Sequence, residues 1–464
     1  MKMMSSMKQH LEAYEFVTSG LWFVTDKTRR SSFTKKQDGV ILIIALWVVV
    51  IVSVVALSFA YQARLEVKMS GYSANHMRAK WYAEAGVSQA LVLLREDLLK
   101  DKDVLENEDL IDVEDEDIYL YDSYAEDWGS RKDLLNLEKD DYNEENKGTY
   151  KVEIIDECGK LNLNSSAVNV ETMENLLITL GVPENLQRAI AAAIVDWKDS
   201  DGEPSDGGEE QDFGDEETEA LYYNPDQDRD EIEDLGAEYV CKNNDFDVVE
   251  ELLMVKFVTP LIFYGEDLNN NKELDENERD GDISPPPDNE DGDLQLGLKD
   301  YVTTYGTSRV NINTAPKEVI QALLYEQLGD DSEDVAENIV EYRDGMDGDP
   351  GTRDDKPFRT LNNSDQDDFD LTEVDGMDSS AISALSGAID VKSDTFTIVS
   401  TGEYGGVKAI IRQTIKREFL EENDLIARNR SDDEEDDDSD VLGEDPGDGS
   451  HEQVKFTTLA YSLE

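Results

Sequence analysis

The chain has 464 residues, enough for a membrane anchor and one large or two ordinary domains. Lys and Arg number 42 against 109 Asp and Glu, so the formal net charge is −67. Such a surface repels phosphate backbones, which argues against a nucleic-acid-binding protein. The carboxylates serve either solubility in a salty habitat or the binding of divalent cations, and composition leaves both open.

The two cysteines do not form a recognisable metal-binding motif. Cys158 and Cys241 belong to no Cys-x-x-Cys or Cys/His cluster, which argues against a zinc site. They form one disulfide if their compartment is oxidising, or remain two core thiols. No nucleophile-base pair or Gly-rich phosphate loop stands out in the sequence. We therefore expect a protein that is not an enzyme and has no small-molecule substrate.

Residues 40–60 are an uncharged, apolar stretch of 21 residues. As a helix this stretch spans ~31 Å, which matches the ~30 Å hydrocarbon core of a bilayer. Basic residues precede it, whereas the chain beyond Lys80 is heavily acidic. The positive-inside rule then predicts a single-pass protein with a cytoplasmic N-terminus and an exported main domain.

Beyond Tyr61, apolar residues recur at three-to-four spacing from Ala79 to Leu98, which predicts one continuous helix running from the membrane segment into the domain. Alternating patterns predict strands at 149–156, 395–400 and 407–415. The predicted fold class is α+β: a long N-terminal helix packed on a small antiparallel sheet, with a large, mostly helical insertion. The predicted segments are 61–160 for the helix and first part of the domain, 161–390 for the insertion, 391–420 for the C-terminal strands and 421–464 for an acidic disordered tail.

The insertion contains a repeat. Leu161-Asn162-Leu163-Asn164 and Val310-Asn311-Ile312-Asn313 each precede a helical stretch, and the two copies end alike at Asp196-Trp197 and Glu341-Tyr342. Paired short helices of this kind resemble helix-hairpin-helix units, which often hold DNA through backbone amides. The acidic surroundings favour a packing role here, and we expect no nucleic-acid partner.

Residues 267–278 have the register of an EF-hand calcium loop. Lys272 occupies the position where glycine normally permits the sharp turn, so the loop departs from the pattern there. We expect a structural calcium ion in this loop, with a solvated acidic loop as the alternative. The oxygen donors at loop positions 1, 3, 5, 7, 9 and 12 are Asp267, Asn269, Asn271, Glu273, Asp275 and Glu278.

A second acidic cluster begins with Asp196, Asp199 and Asp201 and continues to residue 210. Repulsion among so many carboxylates disorders a loop unless a cation offsets it, which predicts metal-dependent folding. A flexible linker is the alternative.

The residues Lys35-Lys36-Gln37-Asp38-Gly39 directly before the apolar stretch resemble the prepilin peptidase site of type IV pilins and pseudopilins. Most pilin-like proteins carry Glu at the fifth mature position, but Ile44 stands there in this chain, as in K-type minor pseudopilins. Further stretches at 156–164, 196–197, 246–255 and 311–316 occur in the order of that family. From Lys36 to about Arg417 the chain thus resembles the minor pseudopilin K family of the type II secretion system.

The resemblance implies removal of leader residues 1–39 by prepilin peptidase, with cleavage between Gly39 and Val40 and methylation of the new N-terminus. It implies an inner-membrane anchor, a periplasmic domain with bound calcium, metal in the region after Asp196, and contacts with other minor pseudopilins. The implied function is to cap the pseudopilus tip and help initiate its assembly for protein export across the outer membrane. The alternatives are a pilin-like subunit of a type IV pilus or uptake system and a membrane-tethered calcium-binding enzyme.

Overall fold

The computed structural model describes residues 38–106, 121–130, 148–205, 218–224, 238–267, 274–279, 281, 292, 294–361, 370–377, 379–419 and 454–463. The predicted leader lies outside these residues, apart from Asp38 and Gly39 at the start of the first helix. The chain divides into two compact units, one ending at Gly71 and the other beginning at Tyr72.

The first helix, α1, runs unbroken from Asp38 to Glu106, which confirms the predicted continuous helix. Among the described residues it is long and apolar enough to cross a membrane over Val40–Lys100. Its early apolar side chains are fully exposed, with Leu42 at 71% and Phe59 at 73%. Burial begins at Ala79, where small side chains recur every third or fourth residue.

The remaining elements alternate between short helices and strands. The helices are α2 (Asp127–Ser130), α3 (Val170–Thr179), α4 (Glu184–Lys198), α5 (Glu219–Tyr222), α6 (Pro260–Tyr264), α7 (Lys317–Leu328), α8 (Ser332–Asp344) and α9 (Ser379–Leu385). The strands are β1 (Gly148–Asp156), β2 (Leu161–Asn162), β3 (Val302–Thr303), β4 (Val310–Asn311), β5 (Ile389–Asp390), β6 (Thr395–Tyr404), β7 (Val407–Phe419) and β8 (Val454–Leu463). Short 3-10 helices lie at Glu157–Gly159, Val249–Met254, Glu276–Glu278, Leu298–Asp300, Gly329–Asp331 and Leu371–Glu373.

The main sheet is antiparallel, with strand order β1-β6-β7-β8. It contains the three predicted strands, and the second half of α1 packs on it through Ala83, Ala90 and Leu94. Close contact requires glycine on the sheet, because a Cβ atom on Gly402 would lie 2.0 Å from the Ala79 carbonyl oxygen. The predicted α+β class, a long helix on a small antiparallel sheet, is confirmed.

The prediction of a disordered tail over 421–464 is wrong for its last part. Residues 454–463 form β8, which pairs with β7 from Phe419↔Val454 to Ile411↔Leu463. The acidic composition of the tail suggested disorder, but residues 456–463 carry no charge and are rich in the residue types that form strands. The acidic run at 431–440 lies outside the described residues.

A second core fills the insertion, and the predicted repeat organises it. In the first copy β2 pairs in parallel with β3 and is followed by α3 and α4; in the second, β4 pairs in parallel with β5 and is followed by α7 and α8. Leu163 and Ile312, one residue after these strands, are both buried in this core. The two copies therefore share strand pairing as well as sequence.

Each copy is closed by an asparagine that binds the backbone of a distant phenylalanine. The Asn164 amide donates to the Phe246 carbonyl at 3.0 Å and accepts from the Phe246 N–H at 2.8 Å. Asn313 makes the same pair of bonds with Phe358, at 2.9 and 2.7 Å. We call these two pairs the asparagine clamps. Each satisfies both backbone groups of a buried residue, which fixes where the intervening loop returns to the core.

Both cysteines are free thiols and both are buried, so the disulfide alternative is not realised. Burial raises the pKa of the Cys158 thiol to about 12. Such a thiol stays protonated and unreactive at neutral pH.

Candidate metal centre

The loop that follows α4 brings three carboxylates together. Oxygen atoms of Asp199, Asp201 and Glu219 all lie within 4.8 Å of one another. Asp199 and Asp201 follow the C-terminus of α4, whereas Glu219 is the first residue of α5. We call these three residues the acidic triad.

Two oxygens of the acidic triad lack any hydrogen-bond donor among the described residues. They are Oδ1 of Asp199 and Oε1 of Glu219, and both are shielded from solvent. A buried carboxylate oxygen without a donor is costly, because burial removes its hydration and nothing replaces it. A cation between these oxygens would supply the missing interaction.

The raised pKa values of Glu219 and Asp199 also favour a cation site. Burial, together with the charge of Asp196, raises the pKa of Glu219 to about 7. Burial, with the charges of Asp201 and Asp196, also raises the pKa of Asp199. Without a cation, the triad therefore retains protons that exposed carboxylates would have lost. A divalent cation would reverse these shifts, since it favours the charged form of every ligand.

Asp196 lies beside the triad but has different partners. Its Oδ1 accepts from the Ser205 N–H at 2.8 Å and its Oδ2 accepts from the Tyr223 hydroxyl at 2.5 Å. The side chain is fully buried. Asp196 therefore joins the end of α4 to both sides of the acidic loop, rather than offering free oxygens to a cation.

Sequence reasoning missed Glu219, because a long acidic run separates it from Asp201 along the chain. Its spacing from Tyr223 is a usable signal, since residues four apart on a helical turn share a face. Both residues are buried, Glu219 at 6% and Tyr223 at 1% exposure. Asn243 binds the other oxygen of Glu219. Its amide nitrogen donates to Glu219 Oε2 at 3.3 Å and to the Cys241 carbonyl at 3.1 Å.

The predicted EF-hand loop is described only at its ends. Asp267 and Glu278, at loop positions 1 and 12, are buried, with 2% and 1% exposure. Glu278 Oε2 accepts from the Asp275 N–H at 3.0 Å, whereas Glu278 Oε1 is buried without a donor among the described residues. Asn269, Asn271 and Glu273 lie outside the described residues, so calcium binding by this loop stays a prediction.

Two other acidic groups have their own internal partners. Asp347, Asp354 and Asp355 surround the Thr352 hydroxyl at 2.8 to 3.3 Å. The carboxylates of Asp97 and Asp122 pair with the buried Arg417 guanidinium. The described part of the chain thus singles out the acidic triad as the cluster with two orphaned oxygens.

Comparison with known proteins gives a family for the region that holds these sites. Residues 159–264 match the family model described as type II secretion system (T2SS), protein K. The type II secretion system protein K of Pseudomonas aeruginosa is 27% identical over 176 residues, which covers 36% of this chain. That match spans 47% of the relative, about half its length.

Among solved structures, the chain is similar to one from the crystal structure of the GspK-GspI-GspJ complex of the enterotoxigenic Escherichia coli type 2 secretion system. The TM-score is 0.43 at 13% identity, with 85% of this chain and 99% of the other covered. The family match at 159–264 includes the first asparagine clamp and the acidic triad, and it ends just before the predicted calcium loop. The resemblance to the minor pseudopilin K family is confirmed, and it is carried by residues 159–264, which match the type II secretion system protein K family model.

Proposed function

We propose that this chain is a minor pseudopilin of the type II secretion system and acts as a structural subunit rather than an enzyme. The observation that carries the proposal is the match of residues 159–264 to the protein K family model. These residues follow a helix that is long and apolar enough to span a membrane, and they follow the first strand of the main sheet. The apolar half of α1 serves as inner-membrane anchor and, after extraction, as filament core. The acidic domain lies in the periplasm.

Processing would release this subunit for assembly. Prepilin peptidase cuts between Gly39 and Val40, within the first turn of α1, and leaves an apolar N-terminus. Ile44 then occupies the fifth mature position, where most pilin-like proteins have a glutamate. A buried glutamate is costly without an opposite charge, which a neighbouring subunit's N-terminal amine would supply. A subunit with Ile44 needs no such neighbour, which suits the tip of the pseudopilus, where it caps the filament and initiates assembly with other minor pseudopilins.

Deletion of the gene in its host tests the proposal. We expect exported proteins to accumulate in the periplasm instead of the culture medium, while pili and DNA uptake remain normal. Complementation with the wild-type chain should restore export. Loss of pili or uptake with normal export would instead identify a type IV pilus or uptake subunit.

The mature N-terminus gives a second test. Mass spectrometry of membranes should find a peptide that begins at N-methylated Val40 only in cells that contain prepilin peptidase. Replacement of Gly39 by Leu should block processing and export together, whereas Gly71→Leu is the matched control, because a side chain at Gly71 meets open space. An intact leader in both hosts would favour the membrane-tethered calcium-binding protein.

We also propose that the acidic triad holds a structural calcium ion, with Asp199, Asp201 and Glu219 as ligands, and that residues 267–278 hold another through Asp267 and Glu278. The two orphaned triad oxygens support the first site, and the orphaned Glu278 Oε1 supports the second. A site filled to one hundred times its Kd adds about 2.7 kcal/mol to the free energy of unfolding.

Calcium titration followed by thermal unfolding tests both sites. We expect calcium to raise the Tm far more than magnesium, since magnesium demands a tighter octahedral geometry and keeps its waters. Glu219→Gln and Glu278→Gln should each remove part of the rise. Glu326→Gln, on the exposed face of α7, should keep all of it. Equal calcium responses in all four proteins would contradict both assignments.

A further inference from the structure

The strand β8 forms one edge of the main sheet, and no described strand pairs with its outer side. Residues 456–463 within it carry no charge, although charged residues make up 33% of the chain. Exposed edge strands are usually protected by charges, proline or bulges, because their free N–H and C=O groups pair readily with other chains. Beyond Lys455, β8 has one protective feature, a register shift opposite Thr414 and Ile415.

Apolar side chains of β8 are also exposed. Leu459, Tyr461 and Leu463 are 41%, 54% and 39% exposed. Tyr461 and Leu463 lie opposite Gln413 and Ile411 of β7, on the face of the sheet that packs against α1. A strand added beside β8 would place alternate side chains next to them, so apolar residues would suit those positions.

The other face of this half of the sheet is cationic. Alternation along β7 places Lys408, Arg412 and Lys416 on the outer face together with Glu418. Lys416 and Glu418 have ion-pair partners, Asp394 and Lys455, and Lys408 lies opposite Glu403 of β6. Arg412 is exposed and lies opposite the uncharged Val399. This local excess of positive charge occurs in a chain whose net charge is −67.

Arg412 lies opposite Ser462 of β8. A strand added outside β8 would run two strand spacings, roughly 10 Å, from β7. An extended Arg and an extended Glu can meet across that distance over the small Ser462 side chain. Acidic residues would therefore suit the outer-face positions of the incoming strand.

We propose that β8 is a docking edge for an extended segment of a partner protein in which apolar and acidic residues alternate. Backbone hydrogen bonds to β8 supply the pairing, apolar side chains cover Tyr461 and Leu463, and an acidic side chain approaches Arg412 across Ser462. A protein segment fits better than a membrane surface, since the exposed aromatic residue of β8, Tyr461, lies on the opposite face of the sheet from the cations. This docking edge goes beyond the proposed function, because it does not depend on α1, processing or calcium.

The test uses the full chain in detergent and two labelled synthetic peptides of ten residues. One alternates valine and glutamate, and the other alternates valine and lysine. In fluorescence anisotropy we expect the glutamate peptide to bind about tenfold more tightly, because its carboxylates are attracted by Arg412 and the cationic outer face, which repel the lysine peptide. In hydrogen exchange, binding of the glutamate peptide should slow exchange of backbone amides in 454–463 and leave those of β1 unchanged.

Matched variants separate the docking edge from general charge attraction. Arg412→Glu should weaken binding of the glutamate peptide about fivefold, whereas Lys151→Glu, exposed on β1 at the opposite edge, should change it less than about twofold. Arg412→Gln removes the charge without reversing it and should weaken binding by less. This variant shows that the effect of Arg412→Glu does not come from misfolding. Equal affinity for both peptides, equal effects of Arg412→Glu and Lys151→Glu, or no protection of 454–463 would overturn the proposal. A dimer in ultracentrifugation with β8 already protected would also overturn it, since a second copy would then be the occupant.

Discussion

The Tyr223 hydroxyl donates a 2.5 Å hydrogen bond to the carboxylate of Asp196, and both side chains are buried. Asp196 lies in the last turn of the helix α4, whereas Tyr223 follows α5 on the far side of the acidic loop. This bond therefore connects the two elements that supply the acidic triad. A charge-assisted bond of this kind contributes about 1.5–3 kcal/mol.

Replacement of Tyr223 by Phe should lower the free energy of unfolding by about 1.5–3 kcal/mol, because the Asp196 carboxylate loses a donor that water does not replace. Chemical denaturation in saturating calcium measures this change. Tyr325→Phe on the helix α7 is the control and should stay within about 0.5 kcal/mol of the wild type. Equal effects of the two substitutions would mean that the Tyr223 hydroxyl does not support the loop.

Without calcium, the free energy of unfolding should decrease as pH rises from 4.5 towards 7. Burial raises the pKa of Glu219 from 4.5 to about 7, so the folded protein binds more protons than the unfolded chain over this range. Unfolding then releases protons, and the free energy of unfolding decreases as pH increases.

Thermal unfolding in a calcium chelator between pH 4.5 and 8 measures this dependence. Glu219→Gln should flatten the curve, and saturating calcium should flatten it in the wild type, since the cation favours the ionised carboxylate. A wild-type curve that rises through the same range in chelator would contradict the assignment.

Lys198→Met should destabilise the insertion by about 2–4 kcal/mol, because the Lys198 ammonium donates to three carbonyls at 2.7 to 2.8 Å. Lys198→Arg should recover part of this loss, since Arg343 at the equivalent position of the second copy donates to the carbonyls of Ile312 and Ala315. Urea unfolding measures both variants. If Lys198→Arg were as unstable as Lys198→Met, a positive charge at this position would not be what the carbonyls need.

Gly402→Ala should weaken the contact between α1 and the sheet by several kcal/mol, because its Cβ would overlap the backbone of Ala79 and Ala83. Gly387→Ala, where a Cβ meets open space, is the control. Limited proteolysis should cut the first variant within the α1 half that packs on the sheet and leave the second resistant. Equal resistance of both variants would mean that α1 can shift to accommodate the methyl group.

Local patterns were sufficient for the helix α1 and for three of the four strands in the main sheet. Alternation in β1, β6 and β7 and the three-to-four spacing in α1 depend on residues close in sequence, so they predicted both period and burial. The asparagine clamps depend on pairs 82 and 45 residues apart, which no local pattern contains. The repeat of Asn-x-Asn was visible, but the partner Phe246 or Phe358 was not.

The site was predicted only in part for the same reason. Asp199 and Asp201 are close in sequence and were found, whereas Glu219 reaches them only because the Asp196–Tyr223 bond closes the loop. Composition misled at the C-terminal end, where an acidic run obscured a strand with a single charged residue. Average charge says little about a short segment that pairs through its backbone.

The asparagine clamps also bear on how such a domain can change over evolutionary time. The same two-bond closure holds a loop that returns after 82 residues in one copy and after 45 in the other. Closing the longer loop costs only about 0.5 kcal/mol more, because loop entropy grows with the logarithm of length. Each copy can thus accept insertions of very different size while its helices and strands stay in register, and the longer insertion is the one that contains the acidic triad.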